Sequence, residues 1–192
     1  MLTQLATVKD RLGIMPGDTQ YDAMLTRAIE VVSARFDSEC NRAFARTVGA
    51  SQEFNASDTE IIARCYPIEV VSKFEFKAAE ADGWTEQVPA YLLRRGCVIS
   101  LTLPLGAGNS IARITYTGGY VLPGTAPAAG QSALPLDIEN AAIEQVAFWF
   151  QRRETLGVIR IWPSGGNYIQ LVDTDLLPAV RAVLRKHTRF TL

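Results

Sequence analysis

The chain has 192 residues, of which 48% are hydrophobic and 20% are charged, so it can bury a core without disulfides. This composition excludes disorder, collagen and coiled coil as overall classes. The formal net charge is −1, from 19 Lys and Arg against 20 Asp and Glu. The large basic excess typical of nucleic-acid-binding proteins is therefore missing.

The residue types that most often carry chemistry are scarce in this sequence. The chain has three separated cysteines, Cys40, Cys65 and Cys97, and a single histidine, His187. An odd cysteine count favours reduced thiols in a cytosol. No zinc motif occurs, and no histidine precedes residue 187 to activate a cysteine, so we predict no metal, no cofactor and no catalytic residue. We find no signal peptide and no stretch able to cross a bilayer, which predicts an intracellularly assembled protein without a membrane partner.

Residues 1–48 predict two helices. Thr7 with Asp10 has the spacing of a capping box, and Gly13 is predicted to end this short helix. Thr19 with Asp22 repeats the signal before a helix of roughly 20 residues, whose apolar positions recur every three or four residues. These positions are Tyr21, Leu25, Ala28, Ile29, Val32, Phe36 and Cys40.

Residues 50–120 change to the period of two that is typical of strands. Between Glu69 and Lys77, alternation predicts that Val70, Phe74 and Phe76 share one face. Two further strands are predicted in the second half of this region, with a hairpin loop between them. They cover residues 97–103 and 111–117, and the loop covers residues 106–109.

Residues 121–136 are rich in Pro, Gly, Ala and Ser, which predicts a flexible loop. Asp137 begins a predicted helix to about Glu154 that is apolar on more than one face, as expected of a central core helix. Gly157 is predicted to end this helix, and a turn is predicted at residues 163–167. A last helix begins at Asp175, with Pro178 in its first turn.

These elements predict an α+β protein with a mainly helical core of about four helices. An antiparallel β insertion lies between the second and third helices. We expect residues 1–192 to form a single connector domain, made of four successive segments. They are the N-terminal helices (1–48), the β insertion (50–120), the flexible loop (121–136) and the C-terminal helices (137–192).

The order of these pieces resembles the head–tail connector family of tailed bacteriophages, which comprises adaptor and head-completion proteins. The resemblance covers about residues 5–154 and rests on an ordered set of motifs, with LLPAVRAVLRKHTR also suiting the closing helix of that family. The motifs are LATVKDRLGI, DTQYDAMLTRAIEVVSARFDSECNR, YPIEVV, ITYTGGY and AAIEQVAFWFQRRE.

The resemblance implies a structural virion protein and no enzyme. It implies a ring of about 12 copies beneath the portal, which extends the DNA channel after packaging and docks the next connector or tail protein. DNA then passes through without sequence readout. The implied location is the head–tail junction of a phage or prophage virion, with assembly in the cytoplasm of the bacterial host.

Charge is unevenly distributed along the chain. Residues 1–60 hold six Lys and Arg against nine Asp and Glu, whereas residues 150–192 hold seven against three. Two functional interpretations follow: the basic end docks on an acidic portal surface or on DNA phosphates, and it also complements the acidic front of the next subunit. Protein docking is favoured because strong phosphate contacts would hinder sliding DNA. The candidate partner-binding residues are Arg181, Arg185, Lys186, Arg189, Arg152 and Arg153.

Simpler interpretations stay open for several features. Cations near a helix C-terminus are favoured by its dipole, and His187 is interpreted as a surface residue. Gly118–Gly119 is better explained by a strand-ending turn than by a phosphate loop. The aromatic residues 148–150 are better explained by core packing or a subunit contact than by a ligand-binding box. Another phage ring component, such as a tail terminator, and a small cytosolic hydrolase or transferase with a Cys or Asp nucleophile are the alternative functions.

Overall fold

Four helices lie in the part of the chain that the computed structural model describes, residues 1–153, 160–161, 169–170 and 175–189. They are α1 (Leu5–Leu12), α2 (Asp22–Glu39), α3 (Leu136–Gln151) and α4 (Pro178–His187). None of these helices combines the length and the apolar character that crossing a membrane requires. The predicted end at Gly157 and the turn at residues 163–167 fall outside the described residues.

Nine strands lie between α2 and α3, so the predicted α+β class and its β insertion are confirmed. They are β1 (Thr47–Asn55), β2 (Glu60–Ile62), β3 (Ile68–Lys77), β4 (Thr85–Gln87), β5 (Tyr91–Arg94), β6 (Val98–Leu101), β7 (Ile111–Gly118), β8 (Tyr120–Val121) and β9 (Ser132–Ala133). After α3, β10 (Arg160–Ile161) pairs with β11 (Ile169–Gln170) in an antiparallel arrangement.

The chain divides into two compact units. The helical unit comprises Met1–Phe36 and Pro135–His187, and the β unit comprises Asp37–Leu134 and Thr188–Leu192. The single connector domain with its four successive segments stays a prediction.

The helical unit is built on apolar stripes that match the 3.6-residue helical period. In α2 the buried residues are Leu25, Ile29, Val32 and Phe36, as their spacing predicts. The buried residues of α3 cover more than one face, as expected of the central helix, and include Ile138, Ala141, Ala142, Ile143, Gln145, Val146 and Ala147.

The helix starts differ from those predicted from capping patterns. α1 begins at Leu5, so Thr7 lies inside its first turn, and the N-cap residue Gln4 makes no side-chain cap. The earlier start places Leu5, Val8 and Leu12 on one face, and Val8 is fully buried. The predicted end is correct, because Gly13 adopts a φ of 68° at the C-cap.

The caps expected for α2 and α4 are not observed either. The Asp22 carboxylate, expected to complete a cap with Thr19, binds the Lys9 ammonium at 2.8 Å. α4 begins at Pro178 and leaves Asp175 outside the helix. A proline at the first helical position has its φ already set and needs no hydrogen-bond acceptor.

The β unit contains two small antiparallel sheets. One has the strand order β1-β7-β3-β4, and the other has the order β2-β6-β5. Buried residues from strands of both sheets and from the connection between β2 and β3 form one core cluster: Ile61, Ala63, Cys65, Ile68, Phe74, Ile99, Leu101, Ile114 and Tyr116.

The hairpin predicted around residues 106–109 is wrong. β6 belongs to the three-stranded sheet and β7 to the four-stranded sheet, so the connection passes from one sheet to the other. Gly106 lies so close to the Phe76 ring that a Cβ atom would clash with it. The alternation also ends early, since Leu103 is 73% exposed.

A register irregularity changes the predicted face of Val70. Pairing between β3 and β7 shifts between Val71 and Lys73, so Val71 and Phe74 face the core cluster although their numbers differ in parity. Val70 is consequently 52% exposed, whereas Phe74 is 4% exposed as expected.

Residues 121–136 are held at both ends. β8 and β9 pair in parallel, and the amide of Leu134 donates to the carbonyl of Val121 at 3.0 Å. Val121 and Leu134 are both buried, so the ends of this segment bury more apolar surface than its composition indicates. Residues 124–130 between them are exposed.

Candidate interaction surfaces

Three cations project from one helix of the helical unit. Arg181, Arg185 and Lys186 of α4 are exposed, whereas Val180 and Leu184 of the same helix are buried. Among the described residues, no carboxylate oxygen lies within 4.0 Å of the side-chain nitrogens of these three cations, so none of them forms an internal ion pair. We call Arg181, Arg185 and Lys186 the basic face of α4.

The other candidate cations occupy different surroundings. The Arg153 guanidinium stacks on the Phe150 ring at 4.0 Å and donates to the Phe150 carbonyl at 2.8 Å. Arg152 lies 5.2 Å from the ring centre of Phe148. In the β unit, the Arg189 amide donates to the Cys40 carbonyl at 2.9 Å, and its side chain is half-buried. The structure thus distinguishes the basic face from Arg152 and Arg153, whose guanidinium groups lie against aromatic rings, and from Arg189, whose side chain is half-buried.

His187 has an acidic neighbour that the sequence order conceals. Its Nε2 lies 3.0 Å from Oδ2 of Asp137, which is 50 residues away and in the first turn of α3. Burial raises the pKa of Asp137, but the hydrogen bond and charge of His187 outweigh it, and the net shift is downward. The pair joins the end of α4 to the start of α3, so these helices run antiparallel.

A groove lies between α3 and α4. Its volume is about 210 Å³, and apolar side chains line most of it, with the carboxylates of Asp137 and Glu144 among its lining groups. The remaining lining residues are Asn140, Ala141, Leu177, Ala179, Val180 and Val183. Glu144 is held by Arg11 of α1 at 2.8 Å, so both acidic residues have an internal cationic or imidazole partner. We call this site the α3–α4 groove.

The cysteines have the surroundings of core residues. Cys40 is fully buried, and burial raises the pKa of its thiol to about 11. At neutral pH this thiol is protonated, which disfavours a role as nucleophile. Cys65 belongs to the core cluster of the β unit. In the described residues, no group of three His, Cys, Asp or Glu side chains is arranged to hold a metal ion.

The surroundings of Gly118–Gly119 and of residues 148–150 favour structural roles in packing. β7 ends at Gly118, and a Cβ atom on Gly119 would approach the Ala45 carbonyl oxygen to 2.5 Å, so this strand end needs a residue without a side chain. The Phe150 ring meets the Tyr21 ring edge-on at 5.2 Å, and the Trp149 indole donates to the Asp175 carbonyl at 3.2 Å.

The β unit contains a buried cation that the sequence does not reveal. Arg42 is 1% exposed, and its guanidinium carbon lies 3.3 Å from the ring centre of Tyr66, 4.7 Å from that of Phe44 and 5.3 Å from that of Tyr120. The guanidinium also donates to the Tyr66 carbonyl. Phe44 is only two residues from Arg42, but Tyr66 and Tyr120 come from distant segments, so no local sequence signal could have grouped the three rings.

The β unit exposes large aliphatic side chains. Val88 is 95% exposed, Leu92 66% and Leu103 73%. The amide of Thr102 donates to the carbonyl of Ala90 at 3.0 Å, so the segments that carry Val88 and Leu103 run side by side. Exposed apolar clusters of this kind mark interaction surfaces in soluble proteins.

Comparison with known proteins finds chains of similar fold. No protein-family model and no curated protein matches the sequence. A chain from a structure described as the neck of an empty gene transfer agent (GTA) particle, computed with C6 symmetry, is similar to this protein. It has a TM-score of 0.60 and 17% identity, with 98% of this chain and 90% of that chain covered.

A chain from the virion of a native gene transfer agent particle is also similar. It has a TM-score of 0.60 and 16% identity, again with 98% of this chain and 90% of that chain covered. These likenesses extend over both units and establish a shared fold.

Proposed function

We propose that the protein is a structural virion component of the neck, a head–tail connector of the adaptor or head-completion type. The observation that carries this proposal is the fold likeness over 98% of the chain to a chain from the neck of a GTA particle. A ring of about 12 subunits beneath the portal extends the DNA channel and docks the next connector or tail component. DNA passes through the channel without sequence readout.

The basic face of α4 is the proposed docking surface for the portal. Its three cations have no internal carboxylate partner among the described residues, so an acidic partner surface gains charge complementarity without breaking an existing pair. Arg152 and Arg153 contribute less in this proposal because their guanidinium groups lie against aromatic rings, and Arg189 contributes less because its side chain is half-buried.

The location and assembly of the protein follow from the same proposal. It sits at the head–tail junction of a phage or prophage virion and is assembled in the bacterial cytoplasm. No catalytic step belongs to this function. The pKa of about 11 at Cys40 supports a structural role for that thiol.

Reconstitution with the cognate portal tests this function. The purified chain is mixed with portal and studied by native mass spectrometry and negative-stain electron microscopy. We expect electron microscopy to show a ring stacked on the portal. We expect native mass spectrometry to show a complex whose mass exceeds that of the portal by the mass of the ring. A chain that stays monomeric and unbound beside active portal contradicts the proposal. Labelling at the tail end instead of the head–tail junction would favour a tail terminator.

Charge reversal tests the docking surface. We expect R181E/R185E to retain the melting temperature of the wild-type protein but to bind portal more weakly, by about tenfold or more. The matched control is R64E/R95E, which reverses two exposed arginines of the β unit. If R181E/R185E leaves both ring assembly and portal binding intact, neither portal docking by this face nor its pairing with the acidic front of a neighbour is correct.

A further inference from the structure

A stripe of α2 faces solvent although much of it is apolar. Met24 is 42% exposed and Val31 is 43% exposed, and Arg27 lies between them with 79% of its side chain exposed. Ala34 and Ser38 continue the stripe as small exposed residues. The opposite face of α2 fills the core of the helical unit. We call Met24, Arg27 and Val31 the α2 stripe.

The apolar anchors of the α2 stripe have the same sequence spacing as the two carboxylates of the α3–α4 groove. Met24 and Val31 are seven residues apart, and so are Asp137 and Glu144 in the groove. Seven residues correspond to about 10 Å along a helix axis. A helix that docks in a groove uses anchors at this i, i+3, i+7 spacing.

Charge is complementary between the two surfaces. The stripe carries one cation, Arg27, between two apolar anchors, whereas the groove has an apolar floor and two carboxylates. The internal contact of Arg27 is an exposed ion pair with Glu30 at 3.5 Å, a type of contact that contributes little and exchanges readily. His187 and Arg11 already bind the groove carboxylates, so the Arg27 guanidinium adds a further donor to groups whose charge is partly balanced, and the apolar anchors carry most of the contact.

We propose that the α2 stripe of one copy packs into the α3–α4 groove of the next copy in the ring. This inference rests on the proposed ring-forming function and assigns its subunit contact. Met24 and Val31 enter the apolar groove, and the Arg27 guanidinium reaches the groove carboxylates. The two surfaces are unlike, so the contact is head-to-tail, which is the type that closes a ring.

Cysteine cross-linking tests the contact in portal-bound rings. V31C/A179C places one thiol in the stripe and one at the exposed lip of the groove. A short bismaleimide is expected to give a ladder of covalent oligomers up to the full ring. A mixture of V31C and A179C single variants is expected to give covalent dimers instead. The wild-type chain reports any background from Cys97, which is half-buried.

The matched control is E30C/A179C, which moves the first thiol by one residue and therefore about 100° around α2. We expect at least a tenfold weaker ladder from this variant. An equal ladder from both variants, or no ladder from V31C/A179C in samples that contain rings, overturns the inference and leaves the proposed function standing. Absence of rings in every sample with portal contradicts the proposed function as well.

A second variant tests the energetic role of the stripe. Val31→Asp alters an exposed position, so the melting temperature is expected to match that of the wild-type protein. The ring fraction is expected to fall at least tenfold because the carboxylate meets the apolar floor and the acidic groups of the groove. Rings that form normally from V31D contradict the contact. They would favour a helix of another neck protein as the occupant of the groove.

Discussion

The two units place their charged residues differently. In the helical unit, most ion pairs of the described residues lie at the surface and join helices or segments, such as Arg11 to Glu144 at 2.8 Å and Arg35 to Asp175 at 2.5 Å, and the buried Lys9 paired with Asp22 is the exception. In the β unit, Arg42 is buried among aromatic rings, and Glu75 is held by two cations although it is 7% exposed. The surface of the β unit also exposes large aliphatic side chains such as Val88.

This difference shows how one near-neutral chain can offer two kinds of surface. Charges at a helical surface are available to partners, because exposed ion pairs contribute little and exchange readily. Charges inside the β unit are committed to its own stability, because separating a buried cation from its partners has a large cost. We therefore expect substitutions of charged residues to affect mainly stability in the β unit and mainly association in the helical unit.

The largest loss of stability is expected from Arg42→Ala. The change removes contacts to three rings and the hydrogen bond to the Tyr66 carbonyl, and it leaves a cavity. We expect a loss of about 3–5 kcal/mol in the free energy of unfolding. Urea denaturation followed by tryptophan fluorescence measures it.

The exposed Arg64→Ala is the control for Arg42→Ala, with an expected change under about 0.5 kcal/mol. A similar small effect from both substitutions would remove the contrast between the two units on which these expectations rest.

Gln145→Leu is expected to have the next largest effect, at one of the three buried polar or charged residues that the helical unit has among its described residues, the others being Thr3 and Lys9. Gln145 is fully buried, donates to the Asp175 carbonyl at 3.1 Å and accepts from the Leu177 amide at 2.9 Å. Leucine has a similar size but leaves both backbone groups without this partner. We expect a loss of about 2 kcal/mol.

Thermal unfolding and hydrogen exchange at α4 measure the effect of Gln145→Leu. The same chemical change at the exposed Gln151 is the control and should be nearly neutral. Faster exchange in α4 for Gln145→Leu alone is the expected result, and equal exchange in both variants contradicts it.

The sequence predicts elements more reliably than their connections. The apolar spacing of α2 identifies Leu25, Ile29, Val32 and Phe36 correctly because a helix buries one stripe whatever it packs against. Helix starts were less accurate: Thr7 has a capping pattern, yet packing of Val8 favours an earlier start. A cap contributes about 1 kcal/mol, and burial of an aliphatic side chain contributes more.

Contacts across the chain were beyond prediction. Local alternation cannot show that β6 and β7 belong to different sheets, because strand pairing is a long-range choice. Likewise, the basic composition of α4 is visible in the sequence, but the ion pair of His187 with Asp137 and the α3–α4 groove require the antiparallel arrangement of two helices. The sequence thus predicts which residues form the candidate surface, but it does not predict how they are arranged in space.

A pH series on Glu75→Gln tests whether the charges of the β unit stabilise it internally. Hydrogen bonds from Lys73 and Arg113 lower the pKa of Glu75 below its usual value. A carboxyl group with a lowered folded pKa stabilises the fold above its unfolded pKa, about 4.3, and loses that contribution as pH falls through the folded value. We therefore expect the variant to be less stable at pH 7 by about 2 kcal/mol.

The difference between Glu75→Gln and wild type should shrink as the pH falls below about 4. Urea unfolding at several pH values measures it. Glu86→Gln is the matched control because Glu86 is 63% exposed and lies 3.7 Å from Lys73. A difference between wild type and Glu75→Gln that stays constant from pH 7 to low pH would show that the charge of Glu75 does not stabilise the fold.

The smallest effect is expected at the end of α1, where neither charge nor burial is involved. Gly13 adopts a φ of 68° and has open space around the position of a Cβ atom, so Gly13→Ala costs only the strain of the left-handed backbone. We expect a loss of about 1 kcal/mol, measured by thermal unfolding. Gly17 also has open space but no positive φ, so Gly17→Ala isolates the backbone contribution and should be neutral or slightly stabilising. Equal effects at both positions would mean that the cap conformation at Gly13 does not limit the stability of the helical unit.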